Sequence, residues 1–132
     1  MNTEDQTAIR QTALDYIEGF YDGDSARMER SLHPELVKRI AHPDPVSGRS
    51  HLAEMSALAL TQFTRAKADR PTPQAERQQD VTVLDVFENA ASAKVIAAGW
   101  IDYLHLSRFN GRWVIVNVLW EMKPGQPFVS YW

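Results

Sequence analysis

Apolar residues near the start of the chain recur at helical intervals. Ile9, Ala13, Tyr16/Ile17 and Phe20 follow an i, i+4, i+7/i+8, i+11 pattern, and Leu14 and Tyr21 widen the stripe. Thr3 or Asp5 is placed to cap this helix, and Gly23 to end it in the left-handed conformation. Asp24 suits the N-cap of a short second helix, SARMERSL, with Met28 and Leu32 one turn apart. His33-Pro34 closes that helix, because proline disfavours the α conformation in the residue before it. ELVKRIAH reads as a strand or an irregular extended piece, and HPDPVSG as a turn or loop. Ser50 is expected to cap a third helix, HLAEMSALALTQFTRAK, in which Leu52, Met55, Ala59, Phe63 and Ala66 keep helical spacing. Residues 68–79 are polar and contain proline, which makes them a connection within one domain.

The second half changes period. DVTVLDVFE alternates apolar and polar residues, offering Val81, Val83 and Val86 or Phe87 to a core. ASAKVIAAGWIDYLHLSRF and RWVIVNVLWEMK are long and rich in β-branched and aromatic residues. Between them, Asn110-Gly111 favours the type I′ turn of a two-residue hairpin. Alternation places Ile101, Tyr103, His105 and Ser107 on one face of their strand and Asp102, Leu104 and Leu106 on the other. WVIVNVLW is apolar at nearly every position, as in a strand covered on both faces. Helices can cover one face and a second copy of the protein the other, so a homodimer is expected. Helices followed by an antiparallel meander predict an α+β fold, with the helices on one face of a strongly bent sheet. Residues 124–132 form a tail whose Phe128, Tyr131 and Trp132 are expected to dock.

Composition narrows the function. With 132 residues, 44% hydrophobic and 23% charged, the chain reads as one soluble globular domain, 1–132. A net charge of -3 with scattered Arg and Lys argues against nucleic acid and anionic membrane as partners. No signal-peptide pattern opens the sequence, and no apolar run approaches the ~20 residues of a membrane span, so the expected location is cytoplasmic. Cysteine is absent, which excludes disulfides, thiol nucleophiles and Cys-bound zinc. His33, His42 and His51 form no helical i, i+4 pair and there is no HExxH, so no metal is expected. The glycines make no phosphate-cradling loop and the serines lack an elbow or triad context, so no cofactor is expected.

Two tyrosines on the buried stripe of the first helix suit a pocket, where an aromatic wall carries a hydroxyl to a ligand. The helix end YIEGFYDGD and the segment LHLSRFNGRWVIVNVLWEMKP, in this order of elements, resemble the putative lumazine-binding family of the nuclear transport factor 2-like superfamily, over roughly residues 5–124. The resemblance implies a cone, in which three N-terminal helices pack on a strongly curved, mostly antiparallel sheet, with a pocket at the wide end and pairing sheet to sheet. It also implies kinship with SnoaL-like polyketide cyclases, dehydratases and ketosteroid isomerases. In ketosteroid isomerase a first-helix tyrosine, seven residues before a Gly-Asp, donates to the substrate oxyanion, and Tyr16 stands at that spacing. The position of the second donor, an Asp five residues before the hairpin Asn, holds His105 here. The position of the general-base Asp falls near Arg39-Ile40, and the nearest carboxylate is Asp44.

The resulting expectation is a small-molecule-binding protein with an aromatic-lined pocket. Tyr16, Phe20, Met55, Tyr103, His105 and Trp120 are its candidate ligand-binding residues. The ligand would be flat or apolar with one or two polar atoms, and lumazine-like by the family name alone. One alternative is an isomerase, cyclase or dehydratase using Tyr16 and His105, with Asp44 or His105 as base. The other is a structural dimerisation module whose cone is filled by side chains.

Overall fold

The first helix, α1 (Thr3–Asp22), is capped by Asn2 rather than by Thr3 or Asp5. Asn2 Oδ1 accepts from the N–H of Glu4 at 2.8 Å and of Asp5 at 3.3 Å. Gly23 ends α1 with φ +69°, and a Cβ there would lie 2.6 Å from the backbone of Ala68, so both conformation and space require glycine. Asp24 caps α2 (Ser25–Ser31) through the N–H of Arg27. The computed structural model describes residues 2–126, so the expected docking of Phe128, Tyr131 and Trp132 lies outside the described residues.

Arginines clamp the two helices together. Arg27 donates to Asp15 at 2.9 Å and also to Glu18, and Arg30 donates to Asp15 at 3.2 Å. Burial alone would raise the Asp15 carboxyl, but hydrogen bonds from Arg27, Arg30 and Gln11 outweigh it and hold the group below the usual range.

Six strands follow among the described residues: β1 (Leu32–Pro43), β2 (Ser50–Ser56), β3 (Gln79–Phe87), β4 (Ala90–Ala97), β5 (Trp100–Phe109) and β6 (Arg112–Met122). Their order in the sheet is β2-β1-β6-β5-β4-β3; β1 runs parallel to β6, and every other pair is antiparallel. Asn110 and Gly111 both adopt positive φ at the β5–β6 hairpin, as a type I′ turn demands. The long segment ending at Phe109 is two strands, divided at Ala98-Gly99.

The third helix differs from its sequence reading. Residues 50–56 pair with β1 as a strand, and α3 is only Ala57–Arg65, capped by Ser56 rather than Ser50. The spacing of Leu52, Met55 and Ala59 fits a helix by coincidence, since Leu52 is exposed while Met55 points inward by strand alternation. Ladder bonds to β1 satisfy this backbone, and that tertiary pairing overrides local periodicity.

The helices cover the concave face. α1 packs on β3, β4 and β6, α3 packs on β1 and β2, and α2 bridges α1 and α3. Ile9, Ile17, Met28, Leu36, Leu60, Leu104 and Ile115 fill the space between the layers, each contributing roughly 1.5–3 kcal/mol by leaving water. Tyr21 fastens this layer: its hydroxyl donates to Gln78 O at 2.8 Å and accepts from Ala98 N–H at 3.0 Å. It is a structural tie.

β6 changes phase. Trp113 and Ile115 face inward, then the register slips so that His105 pairs with Asn117 while Leu106 pairs with Ile115. Val116 is the extra residue, and beyond it Val118 and Trp120 face inward. Val116 therefore does not share the inward face of Val118 and Trp120. Part of the two-sided apolar character of WVIVNVLW is this switch from odd to even positions.

Candidate functional site

Strand alternation carries two polar side chains into the apolar interior, and α1 adds a third. On β1, Lys38 shares the inward face with Leu36 and Ile40; on β5, Asp102 shares it with Leu104 and Leu106. Tyr16 reaches the same place from α1. The three residues are 8%, 0% and 1% exposed, respectively. β1 and β5 are separated by β6, about 10 Å in all, and the long lysine stem spans that gap.

Lys38 Nζ donates to the Tyr16 hydroxyl at 2.6 Å and lies 3.7 Å from Asp102 Oδ1. Trp100 Nε1 donates to Asp102 Oδ2 at 2.8 Å. The ammonium also sits 5.0 Å from the Trp120 ring centroid and 5.1 Å from that of Tyr16, within cation–π range. Oδ1 of Asp102 is buried without a hydrogen-bond partner among the described residues. An unused acceptor at this depth is costly unless something meets it.

The low dielectric pushes both charges toward neutrality. Burial lowers the Lys38 ammonium, with Asp102 opposing the shift. Burial likewise raises the Asp102 carboxyl, opposed by Lys38, Trp100 and Tyr16. The Tyr16 phenol is raised well above its ordinary value by burial and by the neighbouring Asp102, which keeps it a neutral donor.

Three of the expected residues gather here. Tyr16 is part of the polar centre, Trp120 covers its ammonium, and Met55 is buried on β2 directly opposite Lys38 in register. Phe20 belongs to an adjoining aromatic group: it stacks on Phe63 at 5.8 Å and meets Trp100 edge to face at 5.5 Å. Trp100 is only half-buried, so Asp102 lies one side chain below the surface.

Tyr103 and His105 do not join them. Both lie on the outer face of β5 and are exposed, because burying Leu104 and Leu106 sets the phase of the strand and turns Asp102, not His105, inward. His105 Nδ1 is 3.3 Å from Asn117 Nδ2, and Asn117 in turn accepts from Arg39, which pairs with Glu54. Asp44 is in the turn after β1, six residues and about 20 Å of strand beyond Lys38. Its carboxylate accepts from Val46 N–H at 2.8 Å, a bond that holds it below its ordinary range. The expected Tyr16–His105–Asp44 grouping is thus replaced by Tyr16–Lys38–Asp102.

Other features of the described residues are less suited to chemistry. A surface cleft of about 260 Å³ between α2 and α3, lined in part by Glu29, Leu58, Thr61 and Arg65, shares no residue with the polar centre. His42 and His51 meet across the β1–β2 ladder with ring centroids 4.2 Å apart, a cross-strand pairing that helical spacing rules do not test. Among the described residues no group of three or more His, Cys, Asp or Glu is placed to hold a metal ion. Nor is any helix among them long and apolar enough to cross a membrane.

Comparison with known proteins agrees with this architecture. The family model described as putative lumazine-binding matches residues 4–121. An NTF2-like protein of unknown function from Shewanella baltica superposes with a TM-score of 0.76 at 20% identity, covering 95% of this chain and 98% of the other. Another, from Silicibacter pomeroyi, gives 0.71 at 19% identity, covering 93% and 100%. A ketosteroid isomerase-like protein from Erwinia carotovora atroseptica gives 0.66 at 13% identity, covering 96% and 100%. At these identities what is shared is the fold. No curated protein matches the chain.

Proposed function

The chain belongs to the putative lumazine-binding family of the nuclear transport factor 2-like superfamily, and from that premise we propose that it binds a compact planar molecule at the Tyr16–Lys38–Asp102 centre. The observation that carries this reading is the buried polar group itself. An ion pair and a tyrosine hydroxyl stand where Leu or Met would be cheaper, and among the described residues Asp102 Oδ1 is left without a hydrogen bond. The arrangement offers donors and an acceptor side by side. Lys38 and Tyr16 suit a ligand carbonyl or ring nitrogen, and Asp102 Oδ1 suits an adjacent ligand N–H. The carbonyl and N–H edge of a pteridine-dione has that complementarity, which gives the lumazine of the family description a chemical counterpart in this chain. Trp120, Met55 and Phe20 supply apolar walls for the ring.

Thermal melts with lumazine, and with quinoxaline as a flat control lacking the carbonyl and N–H edge, test the reading. At a hundredfold excess over Kd, binding adds about 2.7 kcal/mol to the folded state. Lumazine is expected to raise Tm in the wild type and to lose that effect in Tyr16→Phe and Lys38→Met. Equal shifts in all three proteins, or none in the wild type, would refute it; none in the wild type would favour a cone filled by its own side chains.

A further inference from the structure

Resting on that reading of the site, we infer that Lys38 captures ketones or aldehydes covalently, as a Schiff base, with Tyr16 and Asp102 moving the protons. The geometry is that of a nucleophile with two proton carriers. Lys38 Nζ is 2.6 Å from the Tyr16 hydroxyl and 3.7 Å from an Asp102 oxygen that no hydrogen bond among the described residues occupies. Lysines serve as Schiff-base nucleophiles when an apolar enclosure makes the neutral amine accessible. Tyr16, Trp120 and Met55 provide that enclosure here, and burial lowers the Lys38 ammonium. The Lys38 side chain keeps a tenth of its surface, and the half-buried Trp100 lies over the carboxylate.

The step balances without any added reagent. The ammonium passes one proton to Asp102, leaving a neutral amine and a neutral acid. The nitrogen lone pair attacks the carbonyl carbon, the C–N bond forms, and the C=O π electrons move to oxygen. That oxygen takes the Tyr16 proton, and the new C–NH₂⁺ group returns one to the phenolate, giving a carbinolamine. Asp102 then protonates the carbinolamine hydroxyl. The C–O bond breaks, water departs, and the nitrogen lone pair closes the C=N bond as a protonated imine beside the regenerated carboxylate. Three protons begin on nitrogen; one ends there and two leave in water. Neither carbon nor nitrogen changes its electron count by an external oxidant or reductant.

The probes are pyruvate with sodium cyanoborohydride, which reduces and fixes an imine, and acetylacetone, which forms an absorbing vinylogous amide with a neutral lysine. Intact-mass and peptide analysis of the wild type is expected to find one adduct per chain, at Lys38 rather than at Lys67, Lys94 or Lys123. Lys38→Arg should lose the adduct, and Tyr16→Phe should form it more slowly while remaining folded. No adduct on folded wild type, or adducts on the other lysines alone, would overturn the inference. The lumazine melts separate the two readings. A Tm shift that survives without an adduct at Lys38 overturns the covalent step alone, and an adduct without a Tm shift supports it while removing the planar ligand.

Discussion

Removing the Lys38 ammonium while keeping its volume is the sharpest perturbation of the interior. In Lys38→Met the Asp102 carboxylate stays buried but loses its counter-charge. At 3.7 Å and an effective dielectric constant of about 20, the lost attraction is about 4.5 kcal/mol. The ammonium's own desolvation cost disappears with it, and its bond to Tyr16 is lost, so the expected net destabilisation at neutral pH is about 3–5 kcal/mol. The sign with pH follows from Asp102. Burial already raises its carboxyl, and without Lys38 opposing that shift it rises further. A carboxyl raised in the folded state is penalised fully above its folded value, and the penalty fades as pH falls toward the unfolded range near 3.9. Urea titrations at about pH 7.5 and about pH 5 should show a smaller gap between variant and wild type at the lower pH. Lys38→Met/Asp102→Asn, which keeps an acceptor for Trp100 without the charge, should recover more than half of the loss. A single variant as stable as wild type at both pH values, or a double variant no better than the single, would refute a charged pair in the interior.

Gly23→Ala should cost about 2–4 kcal/mol, from the left-handed φ together with the contact on Ala68, and a melting curve within error of wild type would contradict it. Asp15→Asn should cost about 1.5–3 kcal/mol by weakening its bonds to Arg27 and Arg30. Because the folded Asp15 carboxyl is depressed, its contribution is present above the unfolded value near 3.9 and lost as pH falls through the folded one, so denaturation curves of the two proteins should converge in acid. Static light scattering should give twice the 15.0 kDa chain mass, through an outer sheet face bearing Tyr103 and Leu119, and a monomer mass would rule out that pairing.

Most of the architecture was legible in local patterns: the stripe of α1, the glycine that ends it, the Asn-Gly hairpin and the β-rich second half. The region between residues 43 and 57 was not, because Ser50–Ser56 is a strand only by pairing with β1, and such long-range pairing leaves little mark on local spacing. The site was half legible. Aromatic and family cues point to Tyr16 and Trp120, and Met55 comes from a helical spacing that the structure replaces with a strand, whereas Lys38 and Asp102 carry no such cue, since the polar tips of β5 point to the opposite face. The usable signal lay in the alternation. Leu36 and Ile40 flank Lys38 on one face, and Leu104 and Leu106 accompany Asp102. Burying those apolar residues drags one cation and one anion inward together. The same reasoning turns His105 outward with Tyr103.

The parallel seam between β1 and β6 has a consequence for assembly. β6 is the last of the described strands, yet it lies between β1 and β2 on one side and the meander on the other. On a ribosome, β1 and β2 emerge before β3, β4 and β5 and wait with their joining edge open until β6 has been made. Until then Lys38 and Asp102 lie on strands that β6 has not yet joined. Closure of the cone and neutralisation of its interior are therefore one event, and a nascent chain stalled before residue 112 would have neither.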